Sequence, residues 1–189
     1  MLTGLSGHLV SEGFLERYLS EQSPQDLTAE RRLFVAWRRG CRGLGPTSSL
    51  RALVDAGLDP LARMFHLRPG VFEERQKVAV GLGRAASHPV VLAACGWGER
   101  LDPLWRVAIV HAQGQAARWA LLFNGTELRL VDATRPYSRR FTQFDLAAVQ
   151  DDDRSFAAFW VVERLLSTDD AHGLHALVST SEQHAGSVC

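Results

Sequence analysis

The stretch that decides the fold is Arg118-Trp119-Ala-Leu-Leu-Phe-Asn124-Gly125-Thr-Glu127-Leu-Arg129-Leu-Val-Asp132. Because Asn-Gly tolerates the positive φ values of a type I′ turn, the pair predicts a tight β-hairpin. The first strand, 119–123, is apolar throughout and is predicted to be buried on both faces. The second strand alternates, which places Glu127, Arg129 and Val131 on one face and Leu128, Leu130 and Asp132 on the other.

The segments around the hairpin alternate between helical and extended patterns. Apolar spacing predicts amphipathic helices over 8–20 and 27–42 and strands over 76–82 and 89–95. A helix is predicted to begin with Asp102 as N-cap and Pro103 at its first position. A strand over 139–144, a helix capped by Asp152 or Asp153, and a helix opened by the capping box Ser179–Glu182 follow. The order predicts an α/β fold in which helices flank a mixed β-sheet.

The same pattern divides the chain into three predicted parts. These are a helical N-terminal segment (1–45), an α/β core (46–166), and a linker with the start of a helix (167–189). The last helix reaches Cys189 without a C-terminal signal, so we expect the chain to be a fragment of a longer protein.

The overall charge does not favour a dedicated nucleic-acid-binding protein. The 189 residues carry 21 basic and 21 acidic side chains, whereas such proteins usually have a basic excess. Lys77 is the only lysine, and the arginines that make up the rest suit phosphate recognition, although a GC-rich genome gives the same bias. Without a long apolar run or a leader pattern, the sequence predicts a cytoplasmic protein with no membrane contact.

Two groups of arginines are candidate phosphate-binding residues. The first, Arg135, Arg139 and Arg140 with Tyr137 among them, follows the hairpin, and Asp132, Asp145 and Asp151–Asp153 could neutralise it. The second, Arg38 and Arg39, belongs to a stripe with Arg31, Arg32 and Arg42 on the second predicted helix. That stripe either meets phosphates or pairs with Glu16, Glu21 or Glu30 and solvent.

Three other features each allow a functional and a structural interpretation. Cys95, with His88 and His111 near it in sequence, is either a nucleophile or an ordinary buried cysteine. Trp97, between two glycines, either stacks on a base or covers the sheet edge. His172 and His175 either share a metal ion or lie on the surface, and no third ligand is evident.

Several segments resemble the N-terminal region of large Eco57I-like restriction–modification proteins. They are Gly45-Pro-Thr-Ser-Ser-Leu-Arg51-Ala-Leu-Val-Asp-Ala-Gly-Leu-Asp-Pro60-Leu, Leu101-Asp-Pro-Leu-Trp105-Arg106, the hairpin, and Arg139-Arg140-Phe-Thr-Gln-Phe144-Asp145-Leu146. The most specific motif is the hairpin, with Trp119, Asn124, Gly125 and Arg129. The resemblance implies a nuclease-like fold of the PD-(D/E)xK type, placed before an adenine-specific DNA methyltransferase domain.

The residues that such a nuclease needs are missing. The matching strand offers Ala93, Ala94 and Cys95 where an acid and a lysine should help to bind Mg²⁺ and position water. Lys77 lies outside that register. The chain also lacks the Asn/Asp-Pro-Pro-Tyr/Phe tetrapeptide that grips a flipped adenine. We therefore predict no catalytic residue, metal or cofactor here, and S-adenosylmethionine only in a further C-terminal domain.

The sequence thus predicts a degenerate nuclease-like domain of a DNA-modifying or phage-defence protein. Its expected partners are double-stranded DNA or other defence-system subunits. Two alternatives stay open at this point. One is a protein–protein interaction module whose arginines only form salt bridges, and the other is a hydrolase that uses Cys95.

Overall fold

A computed structural model describes residues 2–22, 26–85, 88–168 and 173–187. For residues 185–187 it describes the backbone alone. The strands are β1 (Leu5–Gly7), β2 (Arg68–Pro69), β3 (Glu73–Arg75), β4 (Val78–Arg84), β5 (Pro89–Ala94), β6 (Trp119–Phe123), β7 (Glu127–Asp132) and β8 (Phe141–Asp145). The helices are α1 (Glu12–Glu21), α2 (Thr28–Gly40), α3 (Leu50–Leu53), α4 (Asp59–Met64), α5 (Asp102–Gly114), α6 (Leu146–Asp151), α7 (Asp153–Leu165) and α8 (Leu174–Ser187). None of these helices is long and apolar enough to cross a bilayer.

All eight strands belong to one open sheet. The order is β1-β8-β7-β6-β5-β4-β2, and β3 also pairs with β4. β5 and β6 are parallel because α5 crosses between them, while the other neighbours are antiparallel. The predicted α/β fold with a mixed sheet is confirmed. The finer resemblance to a PD-(D/E)xK nuclease stays a prediction.

The hairpin is present, but its turn differs from the prediction. β6 is buried along its whole length and pairs with β7, with Trp119 opposite Asp132 and Phe123 opposite Leu128. A type I′ turn is wrong, because Gly125 has a φ of +88° whereas Asn124 is not in the positive-φ region. Instead, the Asn124 side-chain oxygen accepts hydrogen bonds from the backbone N–H groups of Thr126 and Glu127. This local side-chain bonding replaces the second left-handed residue.

The two faces of the sheet are covered unequally. Among the described helices, α5 alone packs on one face, and the core beneath it is rich in small side chains such as Ala93, Ala120 and Ala108. The other helices supply side chains to the larger core on the opposite face. The alternation predicted for β7 is confirmed, since Leu128 and Leu130 join the larger core and Val131 the smaller. The α5 face is therefore the thinly covered side of the molecule.

The predicted N-terminal helices are α1 and α2, and residues before them also reach the sheet. β1 pairs with β8, and the Val10 N–H donates to the Thr142 hydroxyl. Phe34 and Trp37 of α2 lie in the larger core. The N-terminal segment therefore shares a core with the residues that follow it.

Two predicted helix caps are wrong, and one is confirmed. α5 begins at Asp102 itself, preceded by Leu101 without a side-chain cap, because the Asp102 carboxylate accepts a hydrogen bond from Arg129 instead. α8 begins at Leu174, so Ser179–Glu182 lies within it rather than opening it. Asp152 does cap α7 by accepting from the Ser155 N–H. The side chains that failed as caps are used in long-range contacts.

Candidate functional site

A groove of about 440 Å³ runs between α5 and the segment that joins β7 to β8. We call it the α5 groove; its lining residues are Trp105, Arg106, Ile109, Val110, Gln113, Pro136, Tyr137 and Arg139. Its described lining includes two cationic side chains and two aromatic rings, and no acidic side chain. Arg106 and Arg139 form no ion pair within the described residues. The groove is therefore positively charged although the whole chain is neutral.

The segment that forms one wall of the groove is fixed at its base and strained near its end. At the base, the buried Asp132 carboxylate accepts from both the N–H and the hydroxyl of Thr134. Arg139 has a φ of +44°, a left-handed conformation that costs a non-glycine residue about 1–2 kcal/mol. Tyr137, between them, is fully exposed. Residues held in sparsely populated backbone conformations cluster at active sites and ligand-binding sites.

Two further arginines of the same segment, together with Arg118, lie close to two acids. We call Arg118, Arg135 and Arg140 the arginine cluster. One oxygen of Glu182, on α8, accepts from both Arg135 and Arg140, and Arg118 lies 3.7 Å from Asp132. Burial and the charges of Arg135 and Arg118 lower the pKa of Arg140, whereas Asp132 raises it. The cluster therefore has one guanidinium more than it has carboxylates.

The structure separates the predicted phosphate-binding residues into different surroundings. Arg139 and Tyr137 line the α5 groove, whereas Arg135 and Arg140 turn to Glu182. Of the acids expected to neutralise them, Asp132 is near, whereas Asp145 caps α6, Asp152 caps α7 and Asp153 pairs with Arg31 of α2. Glu182 does most of the neutralising instead.

Arg38 and Arg39 belong to a different surface. Arg38 donates to the Gly125 carbonyl at the closed end of the hairpin and lies over the Trp37 ring. Arg39 is exposed beside Arg32 on α2. Since α2 packs on the larger core and α5 on the smaller, one duplex cannot lie flat on both surfaces.

Arg129, a residue of the hairpin motif, makes contacts that stabilise the fold. Its side chain donates to Gln143 and to Asp102 and lies over the Phe141 ring, with only 8% of its surface exposed. The hydrogen bond from Arg129 is the main cause that lowers the pKa of Asp102. These contacts tie β7 and β8 to the start of α5, so Arg129 positions one wall of the groove without reaching it.

We expect Asp102→Ala to lower the free energy of unfolding by about 1–3 kcal/mol, because the buried Arg129 guanidinium loses its carboxylate partner, although solvent screens the half-exposed Asp102. Adding Arg129→Met should recover part of that loss, since an apolar side chain needs no partner. Urea unfolding of both variants measures this. Asp55→Ala is the matched control, because its partner Arg51 is exposed and such pairs contribute about 0.5 kcal/mol or less. An equal loss in the control would contradict a special role for Asp102.

Cys95 lacks the properties of a nucleophile. It is buried, and burial, with a smaller effect of Glu99, raises the pKa of its thiol to about 11. His88 lies at the opposite end of β5 and contacts the Leu166 carbonyl through its ring nitrogen. A thiol with a raised pKa is almost entirely protonated at neutral pH and reacts slowly.

The remaining sequence candidates show no reactive centre. His172 and Cys189 lie outside the described residues. Within the described part, no group of three or more His, Cys, Asp or Glu side chains could hold a metal ion. Ala93 and Ala94 are buried in β5, and Lys77 lies in the β3–β4 turn. Trp97 is half-buried over Gly125, where it packs against the hairpin turn.

Sequence reasoning missed three groove residues on α5 and the acid Glu182 on α8. Arg106, Val110 and Gln113 are spaced as one face of a helix, so helical periodicity could have placed them together. Nothing local could have found Glu182, because its arginine partners are 47 and 42 residues away in the chain.

No protein-family model matches this chain, and no curated protein or solved structure matches it. The resemblance to Eco57I-like proteins is therefore still a prediction.

Proposed function

We propose that this domain binds the phosphate backbone of double-stranded DNA through the α5 groove and has no catalytic activity of its own. One observation carries the proposal: Arg106 and Arg139, which form no ion pair within the described residues, share a groove whose described lining contains no acid. Arginine forks bind phosphate oxygens in two-pronged hydrogen bonds. A cationic groove on a neutral protein attracts phosphate locally, without the non-specific binding that a strongly basic protein shows.

The aromatic side chains of the groove fit the same ligand. Trp105 and Tyr137 lie on its two walls, one on α5 and the other on the β7–β8 segment. Tyrosine can contact phosphate and sugar, which fixes the orientation of a duplex without reading its sequence. We therefore expect DNA binding with little sequence preference.

The absence of catalysis is proposed from the residues present. The nuclease positions hold Ala93, Ala94 and Cys95, and the thiol of Cys95 is held in its protonated form. In a parent protein of the kind that the resemblance implies, this domain would hold DNA for an adenine-specific methyltransferase domain that binds S-adenosylmethionine.

We expect the variant Arg106→Ala/Arg139→Asn to bind a fluorescein-labelled 20-base-pair duplex about tenfold more weakly than the wild type. The slope of log affinity against log salt should fall by about 2, because each lost phosphate contact removes about one unit. Asparagine is used at 139 since it tolerates the left-handed backbone there. Fluorescence anisotropy over a salt series measures both quantities.

The matched control is Arg32→Ala/Arg39→Ala, which removes the same charge from the exposed surface of α2. It should keep the wild-type affinity apart from a small general charge effect. Equal weakening in the two double variants, or DNA binding that is indifferent to salt, would contradict a specific role for the groove.

A second candidate function is the docking of a protein partner, such as another defence-system subunit. It is favoured by the opposite flank of α5, where Val107 and Val110 border a second groove of about 430 Å³ over Val78 and Val80. Val110 is 66% exposed. Wild-type protein that binds no duplex at low salt would favour this function over DNA binding.

A further inference from the structure

The carboxylate of Glu182 makes an unusual contact. A single oxygen of this side chain accepts from the Nη1 atoms of Arg135 and Arg140, while 35% of the side chain is exposed. Phosphate oxygens take the same position between arginine side chains when proteins bind nucleic acid. The two guanidinium groups that donate to Glu182 are of the kind that also donate to phosphate oxygens.

The arginine cluster around this carboxylate is incompletely satisfied. The Arg118 Nε atom, a hydrogen-bond donor, is buried and lacks a partner within the described residues. The Arg118 and Asp132 side chains are 3.7 Å apart, too far for a direct hydrogen bond. A buried donor without a partner is rare in native proteins, so the Arg118 Nε–H group is available to an anion that enters the cluster.

We infer that the arginine cluster is a second phosphate site and that Glu182 competes intramolecularly for it. This rests on the proposed function in one respect, because the phosphate would belong to the same DNA backbone. Arg139 lines the α5 groove and Arg140 donates to Glu182, so consecutive residues of one segment serve two sites. A backbone passing over this segment would place neighbouring phosphates at both.

Competition requires only a side-chain movement. Leu174, Leu177 and Val178 of α8 are buried in the larger core, and the Ser181 hydroxyl accepts from the Ser11 N–H. These contacts do not involve the Glu182 carboxylate. A phosphate can therefore displace the carboxylate by rotation of its side chain into solvent, while α8 stays in place. Wild-type affinity at this site is reduced by the carboxylate that it must displace.

The test uses Glu182→Gln, which keeps the shape of the side chain and removes its charge. Titration with inorganic phosphate at constant ionic strength should show about tenfold tighter binding than wild type, which corresponds to about 1.4 kcal/mol. Glu74→Gln removes the same charge from the exposed strand β3 and should leave phosphate affinity unchanged. Unchanged or weaker phosphate binding by Glu182→Gln would overturn the inference.

Glu182→Gln removes the carboxylate to which Arg140 donates, which affects the stability of the fold. The variant is therefore also compared by thermal unfolding in phosphate and in chloride. Phosphate should raise its unfolding temperature more than that of the wild type; an equal rise in both would overturn the inference. Glu182→Asp, whose shorter side chain keeps the charge, should bind phosphate with intermediate affinity, and it serves if the glutamine variant does not fold.

The two proposals fail differently. If the duplex binds through Arg106 and Arg139 and Glu182→Gln gives no gain in phosphate affinity, the second site is wrong and the groove remains. If Glu182→Gln gains phosphate affinity while no variant binds the duplex, the cluster is a phosphate site and the proposed DNA function is wrong.

Discussion

Glu163→Gln is expected to make the protein markedly more stable at pH 9 and to change its stability little at pH 5. Glu163 lies on α7 with none of its surface exposed, and neither carboxylate oxygen has a hydrogen-bond partner within the described residues. Burial alone raises the pKa of this carboxyl from 4.5 to about 8. The folded protein therefore holds a proton at neutral pH that the unfolded chain releases.

The sign of the effect follows from that proton. Below pH 4.5 the carboxyl is protonated in both states, so its contribution to stability is fully present. As the pH rises towards 8, only the folded state keeps the proton, and the free energy of unfolding falls. The full loss is on the order of 5 kcal/mol above pH 8. Glutamine does not titrate, and its buried amide lacks partners much as the protonated carboxyl does.

Urea unfolding at pH 5, 7 and 9 measures this difference. The wild type should lose stability steadily across the series, whereas Glu163→Gln should lose much less. Glu74→Gln, at an exposed position on β3, is the matched control and should follow the wild type. Parallel pH profiles for the wild type and Glu163→Gln would mean that Glu163 is ionised in the folded protein or has found a partner.

Gly125→Ala is expected to lower the free energy of unfolding by about 3 kcal/mol. Gly125 has a φ of +88°, which a residue with a Cβ adopts only with strain. A Cβ there would also come within 2.3 Å of the Trp97 ring. Strain and overpacking of this kind each cost about 1–3 kcal/mol.

Gly40→Ala is the control for this change. Gly40 ends α2, has no positive φ and has open space around its Cα, so alanine should be neutral or stabilising by up to about 1 kcal/mol. Thermal and urea unfolding compare the two variants. The effect of Gly125→Ala on the free energy of unfolding is also measured in a Trp97→Ala background. If the loss is the same with and without Trp97, the clash contributes nothing and the backbone conformation explains the whole loss.

The sequence predicted the parts of this fold that depend on local pattern. The two strands of the hairpin follow from their apolar and alternating residues, and the Asp152 cap follows from its position before a helix. The turn type could not be predicted, because the Asn124 side chain bonds to Thr126 and Glu127 and removes the need for a second left-handed residue. Local propensities do not include such competition.

The site was less predictable than the fold, because its charges are paired over long sequence distances. Arg135 and Arg140 look equivalent to Arg139 in the sequence, yet two of them meet Glu182 and the third lines the groove. Asp102 resembles a helix cap until the sheet brings Arg129 beside it. Tertiary contacts decide which arginines are available to a ligand.

The pairing of β1 with β8 also constrains the order of folding during synthesis. The Val10 N–H bonds to a hydroxyl 132 residues later, and β8 is the last of the described strands. At typical ribosomal speeds, β1 emerges on the order of ten seconds before its partner exists. Closing so long a loop is slow. β1 is therefore expected to be among the last strands placed, and until then the outer edge of β8 is open to pairing with another nascent chain.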